Sequence, residues 1–568
     1  MSRTGSAVAR GAYGARPAER RRVGRNRTSR NRLAAAAGLV TAALAASTVV
    51  GAPAASASSG ATETVVVTSD GLLSPVTAVL DVLGSVLNKF RIIDGVEATI
   101  PAALEPALAA LPGITVTPDV SVTVQSTQAA AESTGPHTPS DEFLQQTGAS
   151  QLFADGDTGQ GVTVAVIDTG IDNLPDFGGR LIDGVDLTGE NQPFQDDYGH
   201  GTFVAGLIAG DGASSGGQYE GEAPGANLVS IKVAGANGTT DLVRLILGLQ
   251  WAVDNRVADN IRVLNMSLGF QPFESTTINP LDLAVEAAWN SGIAVVTSAG
   301  NAGPANGTIL SPGDDPLAIT VGALDDLAQP VAGDDEMTNF SSAGPTLVDG
   351  WAKPDLVTSG RSVVSLAAPG STIYDQYPSA RIGSGNFVGS GTSFSAAITS
   401  GAAALILAAS PGLTPDQLKA RLLGTTSQGP VGNPFVDGHG ALNAYAAANA
   451  GPMNLAQSTF GLLPALPGMT VRLSPGGSPV DTWNPNLWSG VSWPRGTPGP
   501  PWPGSSWNGS AWNAWDWTSR AWNNGGWNGA TWNGAAWDGS AWDGSAWDGS
   551  AWNGAAWNDG AWNASEWN

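Results

Sequence analysis

Hydrophobic and polar positions change their rhythm several times along the chain. An apolar run from Leu33 to about Val50 follows an Arg-rich start, and small residues come after it. Thr64–Thr68 has the composition of a β-strand. Pro75–Leu87 has helical apolar spacing, and Phe90–Ile100 is strand-like. Pro101 suits a helix start, and the Ala/Leu run behind it ends before Pro112-Gly113. Ile114–Gln125 alternates apolar and polar residues with a break at Pro118-Asp119. This order predicts a small α+β unit of helices on a sheet. Residues 126–140 are small and polar, which predicts an exposed, cleavable linker.

From 141 to 450 the pattern is different. Short apolar runs at Val162–Ile167, Leu228–Val233, Val263–Met266, Ile293–Thr297 and Ala318–Val321 are separated by helical stretches. That predicts a parallel sheet with helices on both faces. Residues 451–480 read as a Gly/Pro-containing linker. Beyond it Trp recurs every five residues, without a gap from Trp502 to Trp567, in units such as Trp542-Asp-Gly-Ser-Ala546. The Asn-Gly and Asp-Gly pairs predict a turn in each unit. Trp precedes the Asn or Asp, whereas the apolar residue follows it in pentapeptide solenoids, so a simple match to those is not expected. Trp stacking on sugar rings of a cell-wall or plant polysaccharide is one reading of residues 481–568. A disordered or self-associating low-complexity tail is the other.

Composition narrows this picture. The net charge is −24, but residues 1–57 carry ten Arg and one acid, which leaves −33 on the rest. A body that acidic repels phosphates and argues against nucleic-acid partners. With no Cys there are no disulfides, no Cys-type zinc sites and no Cys nucleophile. The basic, apolar and small-residue order of residues 1–57, with Ala55-Ser56-Ala57 as a cleavage point, predicts a signal peptide and a secreted, extracellular product. Arg20-Arg21-Arg22 leave twin-arginine export open. An uncleaved anchor is the alternative, although the apolar run barely reaches spanning length. No membrane association is expected after cleavage.

Four segments carry candidate chemistry. Val164-Ala-Val-Ile-Asp168-Thr-Gly170 is an apolar strand ending in a carboxylate, where parallel sheets collect functional groups. Asp197-Tyr-Gly-His200-Gly puts a rare His near a helix start, with glycines that leave room for another chain to approach the ring. Gly391-Thr-Ser393-Phe-Ser-Ala-Ala397 opens an apolar helix, where the dipole favours developing negative charge. Ser298-Ala-Gly-Asn301-Ala-Gly-Pro304 offers an amide donor in a Gly-rich loop. Each has an ordinary structural reading when taken alone.

Together, in the order Asp168, His200, Asn301, Ser393, these motifs resemble the subtilisin-like serine protease family. Asn265-Met-Ser-Leu-Gly269, Phe340-Ser-Ser-Ala-Gly-Pro345 and Lys353-Pro-Asp-Leu356 extend the resemblance. It implies an α/β fold with a subtilisin-like parallel sheet flanked by helices, preceded by a small α+β, ferredoxin-like propeptide domain. The implied divisions are a signal peptide (1–57), an inhibitory propeptide (58–137), a peptidase domain (138–450), a linker (451–480) and the Trp-rich tail (481–568). The implied activity is hydrolysis of extended, unfolded polypeptide through a Ser393–His200–Asp168 triad, with Asn301 at the oxyanion and no cofactor for catalysis. Ser267, Leu268 and Gly269, with Gly238, Thr239 and Thr240, are the implied edges between which a substrate lies as an added strand. The propeptide is the implied inhibitor, cut away between about Ser126 and Glu142.

Three positions depart from the family pattern. Phe394 replaces the usual Met after the nucleophile, which removes an oxidation-prone neighbour. Ala397 replaces the usual Pro, which could let the helix start shift. Asp211–Tyr219 lacks a longer cation-binding loop, and Asp176 lies one residue out of register with a family calcium ligand. A structural calcium ion is therefore an open expectation, with Asp314-Asp315 and Asp334-Asp335-Glu336 as further acid-rich spots. The alternative function is a cell-wall or polysaccharide-binding surface protein with a weak or inactive protease domain.

Overall fold

The computed structural model describes residues 61–69, 77, 80, 84–111, 113–124, 140–330 and 334–451, together with the backbone of short strands between 469 and 557. The signal-peptide expectation for 1–57 lies outside the described residues, as does nearly all of the linker at 126–140.

The first unit contains β1 (Thr62–Ser69), β2 (Ser85–Lys89), β3 (Gly95–Pro101), the short helix α1 (Glu105–Ala109) and β4 (Ile114–Pro118). They form an antiparallel sheet in the order β2-β3-β1-β4. Its core is aliphatic, with Val65, Val67, Val96, Ala98, Ile100 and Val116 among its members. Two expectations need correcting. Residues 85–87 extend a strand rather than a helix, because Val86 pairs with Ala98 at the edge of the sheet. Residues 90–94 form a turn before β3, and Phe90 and Ile93 are buried against the larger domain instead of in this sheet.

β5 (Ser121–Val124) follows Pro118-Asp119, so the break in the alternating pattern marks the point where the chain leaves the first sheet. β5 pairs with elements of the larger domain.

That domain is built on a parallel sheet. In chain order its strands are β6 (Thr163–Asp168), β7 (Leu181–Asp186), β8 (Asn227–Lys232), β10 (Ile261–Met266), β12 (Ala294–Ser298), β13 (Ile319–Asp325) and β15 (Leu356–Ser359). The spatial order runs β7-β8-β6-β10-β12-β13, with β15 parallel beside β13 and the short β14 (Glu336–Met337) antiparallel at that end. Residues on β6 are buried throughout, as expected of a strand covered on both faces. β7 escapes a hydrophobicity reading because it is an edge strand with half-buried residues.

Helices α2 (His200–Ala209), α3 (Leu242–Asn255), α4 (Pro280–Asn290) and α5 (Thr392–Ala409) cover the sheet. α5 is buried over nearly its whole length, from Thr392 to Leu407. The strand order reverses between β6 and β10, and in such sheets functional groups gather at the strand ends beside the reversal. β9 (Thr239–Asp241) and β11 (Leu268–Gly269) project from the two halves at that place.

In the tail, two-residue strands pair in parallel at an offset of 20 residues. Trp507 aligns with Trp527, Trp512 with Trp532 and then Trp552, Trp517 with Trp537 and then Trp557, and Trp522 with Trp542. Strands four five-residue units apart thus align. This corrects the expectation drawn from the order of Trp and Asn: the described strands do pair in parallel columns at a regular offset.

Candidate active site

Asp168 closes β6, and His200 opens α2. His200 Nδ1 lies 2.8 and 2.9 Å from the two Asp168 carboxylate oxygens. Both side chains are almost wholly buried. A carboxylate accepts only, so Nδ1 carries a proton toward Asp168 and Nε2 is the ring nitrogen turned away from it. Nε2 is buried with no hydrogen-bond partner, an arrangement suited to receiving a proton.

The glycines flanking His200 do a different job from the one expected. Gly199 has φ 103°, in the left-handed region, and a Cβ there would lie 2.4 Å from Ser371 Oγ. A Cβ on Gly201 would lie 2.1 Å from Gly170 O. They permit the turn into α2 and its close approach to the end of β6, rather than access for another chain.

Asp196 holds this turn, and the sequence reading missed it. Its carboxylate accepts from Thr169 Oγ1 at 2.7 Å, Gly199 N at 2.7 Å and Thr202 N at 2.8 Å. It therefore caps α2 from four residues before His200. Burial pushes its pKa up, while these donors pull it down. Lys232, at the end of β8, fixes the same loop by donating to Gln195 O at 3.0 Å and Asp197 Oδ2 at 2.8 Å. Proximity of Asp196 to His200 in sequence was the only available signal.

Ser393 is the second residue of α5 and is fully buried. Its Oγ donates to Ser267 O at 3.1 Å, and Ser267 Oγ donates back to Ser393 O at 2.9 Å. Asn265 Nδ2 donates to Ser267 Oγ at 2.9 Å, and its Oδ1 accepts from Ser400 Oγ at 3.0 Å. Asn265 thus ties the end of β10 to α5. Asn301 Oδ1 accepts from both Thr392 N and Thr392 Oγ1 at 2.9 Å. That fixes the amide orientation and leaves Nδ2 as its donor. The Ser393 N–H belongs to the first turn of α5, whose N–H groups have no intrahelical partner. Asn301 and the α5 terminus are therefore brought together.

Phe394 is buried, its ring 4.3 Å from Phe203 and 5.8 Å from His200. It forms an apolar floor beneath the imidazole. Ala397 is buried within α5, which begins at Thr392 and runs unbroken to Ala409.

The expected substrate edges flank one strand. β5 lies between β11 and β9, antiparallel to both. Leu268 aligns with Val124 and Gly269 with Thr123. On the other side Thr239 aligns with Thr123, and Thr240 with Val122. Gly238 O accepts from Val124 N at 2.8 Å. Ser267 sits one residue before this pairing, at Ser393.

The acid-rich spots differ in how far their oxygens are engaged, and Asp314 Oδ1 and Asp315 Oδ2 are buried without a hydrogen-bond partner. Asp176 is engaged through both oxygens by Ser214. Asp315 Oδ1 accepts from Leu317 N and Ala318 N. Among the described residues no three His, Cys, Asp or Glu side chains are grouped to hold a metal ion.

Comparison with known proteins agrees with this geometry. Residues 159–448 match the profile of the Subtilase family. The chain is similar to serine protease AprX of Bacillus subtilis, 44% identical over 292 residues, which cover 50% of this chain and 66%, just under two thirds, of that relative. It is also similar to subtilisin E of Bacillus subtilis, 36% identical over 54% of this chain and 70% of the relative. Fervidolysin from Fervidobacterium pennivorans, described as a keratinolytic enzyme related to subtilisin, shares the fold with a TM-score of 0.54. That match has 23% identity and covers 69% of this chain and 62% of fervidolysin. The motifs, the sheet reversal and these matches agree, and the chain belongs to the subtilase family of serine endopeptidases.

Proposed function

We propose that the chain is a secreted endopeptidase that hydrolyses extended, unfolded polypeptide and removes its own propeptide. The observation that carries this reading is the Asp168–His200 pair with an unpartnered Nε2, its ring 5.8 Å from Phe394, the residue that follows Ser393. Ser393 Oγ leaves Ser267 O, passes its proton to His200 Nε2 and attacks the substrate carbonyl. Asp168 holds the ring and stabilises its cation. Asn301 Nδ2 and the Ser393 N–H receive the oxyanion. His200 then protonates the leaving amine, and water, activated by the same nitrogen, releases the acid. No metal or cofactor enters these steps.

In this reading residues 1–57 direct export, 58–137 fold as the inhibitory propeptide, 138–450 are the peptidase, and 451–480 link it to the tail. The strand order β2-β3-β1-β4 suits a ferredoxin-like propeptide, and β5 in the cleft suits an inhibitor bound as substrate is. The parallel pairing of the tail strands suits an extended surface for cell-wall or polysaccharide contact. The test is hydrolysis of denatured casein by the full chain and by its Ser393→Ala variant. Cleavage by the first alone is expected. Equal cleavage by both, or by neither, overturns the reading.

A further inference from the structure

The columns of the tail end in strand edges. Two columns contain three described strands each. One holds Ala511-Trp512, Thr531-Trp532 and Ala551-Trp552, and the other holds Asp516-Trp517, Ala536-Trp537 and Ala556-Trp557. The middle strand of each column has a parallel neighbour on both sides. Among the described residues, the first and last strands have a neighbour on one side only. Each therefore keeps backbone N–H and C=O groups directed off the end of its column.

The segment that fits such an edge is already in the chain. Each middle strand takes, on either side, a strand of nearly its own sequence, and the register sets Trp against Trp throughout. Parallel stacking of like on like has no natural last layer, because each layer offers the next the same kind of edge that it occupies itself. The charges agree with continuation. Asp516 is aligned with Ala536, and Ala536 with Ala556, so no acid opposes an acid inside the column. Running the column on from Ala556 of one copy to Asp516 of the next keeps that rule, and Ala551 then meets Ala511. The acidic body of the chain opposes association by repulsion, which salt screens. Physiological ionic strength is therefore the condition to use.

We propose that the tail joins copies of this chain end to end. The strands Ala551-Trp552 and Ala556-Trp557 of one copy pair in parallel with Ala511-Trp512 and Asp516-Trp517 of the next. The partner is a second copy of this chain, and the contact repeats between molecules the pairing already made within one. Two unlike edges meet, so the contact is heterologous and runs on as a filament instead of closing at two copies. Strands of two residues offer few hydrogen bonds, so the joint is reversible and follows concentration. Its product is a row of catalytic domains carried on one continuous set of columns. The proposal does not depend on the protease reading or on polysaccharide contact.

The test is sedimentation of the full chain carrying Ser393→Ala, which prevents self-digestion, over about a thousandfold range of concentration. An average mass that rises with concentration and passes twice that of the monomer is expected. A chain that stays monomeric overturns the proposal, whether or not it binds a polysaccharide. A mass that levels off at two copies also overturns it, because joining unlike edges does not close there.

Two substitutions test the register. Within the chain Ala556 is aligned with the neutral Ala536, and only between copies does it meet Asp516. Ala556→Asp opposes two acids at the joint alone, and should raise the concentration for half-assembly about threefold. Ala556→Lys should lower it about threefold, an outcome that a misfolded tail would not give. Adding Asp516→Lys to Ala556→Asp should restore assembly. If the Asp and Lys variants assemble as their parent does, or shift in the same direction, the joint does not lie between these edges and the proposal falls.

Discussion

The two walls of the cleft are built from different chemistry. On the wall carrying His200, placement depends on ionisable groups: Asp168 at the ring, Asp196 under the helix start and Lys232 beneath the loop. On the wall carrying Ser393, it depends on neutral hydrogen bonds among Asn265, Ser267, Thr392 and Asn301, and on the burial of α5. In the proposed mechanism the ionic wall would stabilise an imidazolium, and the neutral wall would keep fixed negative charge away from the oxyanion. β5 bridges the cleft, pairing with β9 on one side and β11 on the other.

Removing the reacting group from either wall should abolish the contrast. Ser393→Ala and His200→Ala should each lower turnover by about 10⁶, a magnitude taken from subtilisin itself, and the double variant should be scarcely worse. Steady-state kinetics on a peptide substrate measures this. Multiplying losses would mean that the two walls act independently.

Asn301→Ala should lower kcat by roughly 10²–10³ with little change in KM, again on the scale known for subtilisin. A rise in KM with unchanged kcat would place Asn301 in ground-state binding instead.

Asp196→Ala tests the ionic wall without touching a reacting atom. It strands the buried N–H groups of Gly199 and Thr202, and a loss of roughly 2–5 kcal/mol is expected in denaturant unfolding. Asp196→Asn, which keeps one acceptor, should recover part of it.

The crossing strand should respond to pH. Burial pushes Asp119 to about 6 and Glu274 to about 7. Asp119 accepts from Val243 N, and Glu274 accepts from Thr117 Oγ1, so both lie where the first unit meets the catalytic domain. Their pKa values are raised in the joined state, so that state holds extra protons between the ordinary carboxylate values and the raised ones. Raising pH from about 4 to about 7 should therefore weaken the junction, and the trend should flatten above that window. Because both groups retain some solvent, the change should be about tenfold. Release of the cut propeptide from the processed complex, followed against pH, gives the sign. Glu274→Gln should flatten the curve.

The smallest expected effect is on oxidation. With Phe394 against His200 in place of a thioether, peroxide should lower activity by less than about twofold, while Phe394→Met should be inactivated readily. Rapid loss in the unaltered chain would place the sensitive group elsewhere.

The candidate groups could be picked out because each sits in a short segment whose glycines and apolar strand or helix can be read locally. Asp168, His200, Asn301 and Ser393 are such cases. The parallel sheet was legible for the same reason, since β6, β8, β10, β12 and β13 are continuous apolar runs. What escaped depends on partners distant in sequence. Asp196 acquires its role from donors on Thr169, Gly199 and Thr202. Val86 and Leu87 suit a helix until β3 is beside them. The seat of β5 in the cleft was unreadable because it follows from the alignment of Val124 with Leu268, 144 residues away.

The 20-residue offset in the tail constrains how this protein can change length. Adding one five-residue unit would keep Trp aligned with Trp but move every later unit one place along the set of columns. Adding four would return every later unit to its own column and lengthen the structure by one strand spacing, about 4.8 Å. Gain or loss in steps of twenty therefore acts as extension of a ruler, whereas any other step rewrites which faces it presents.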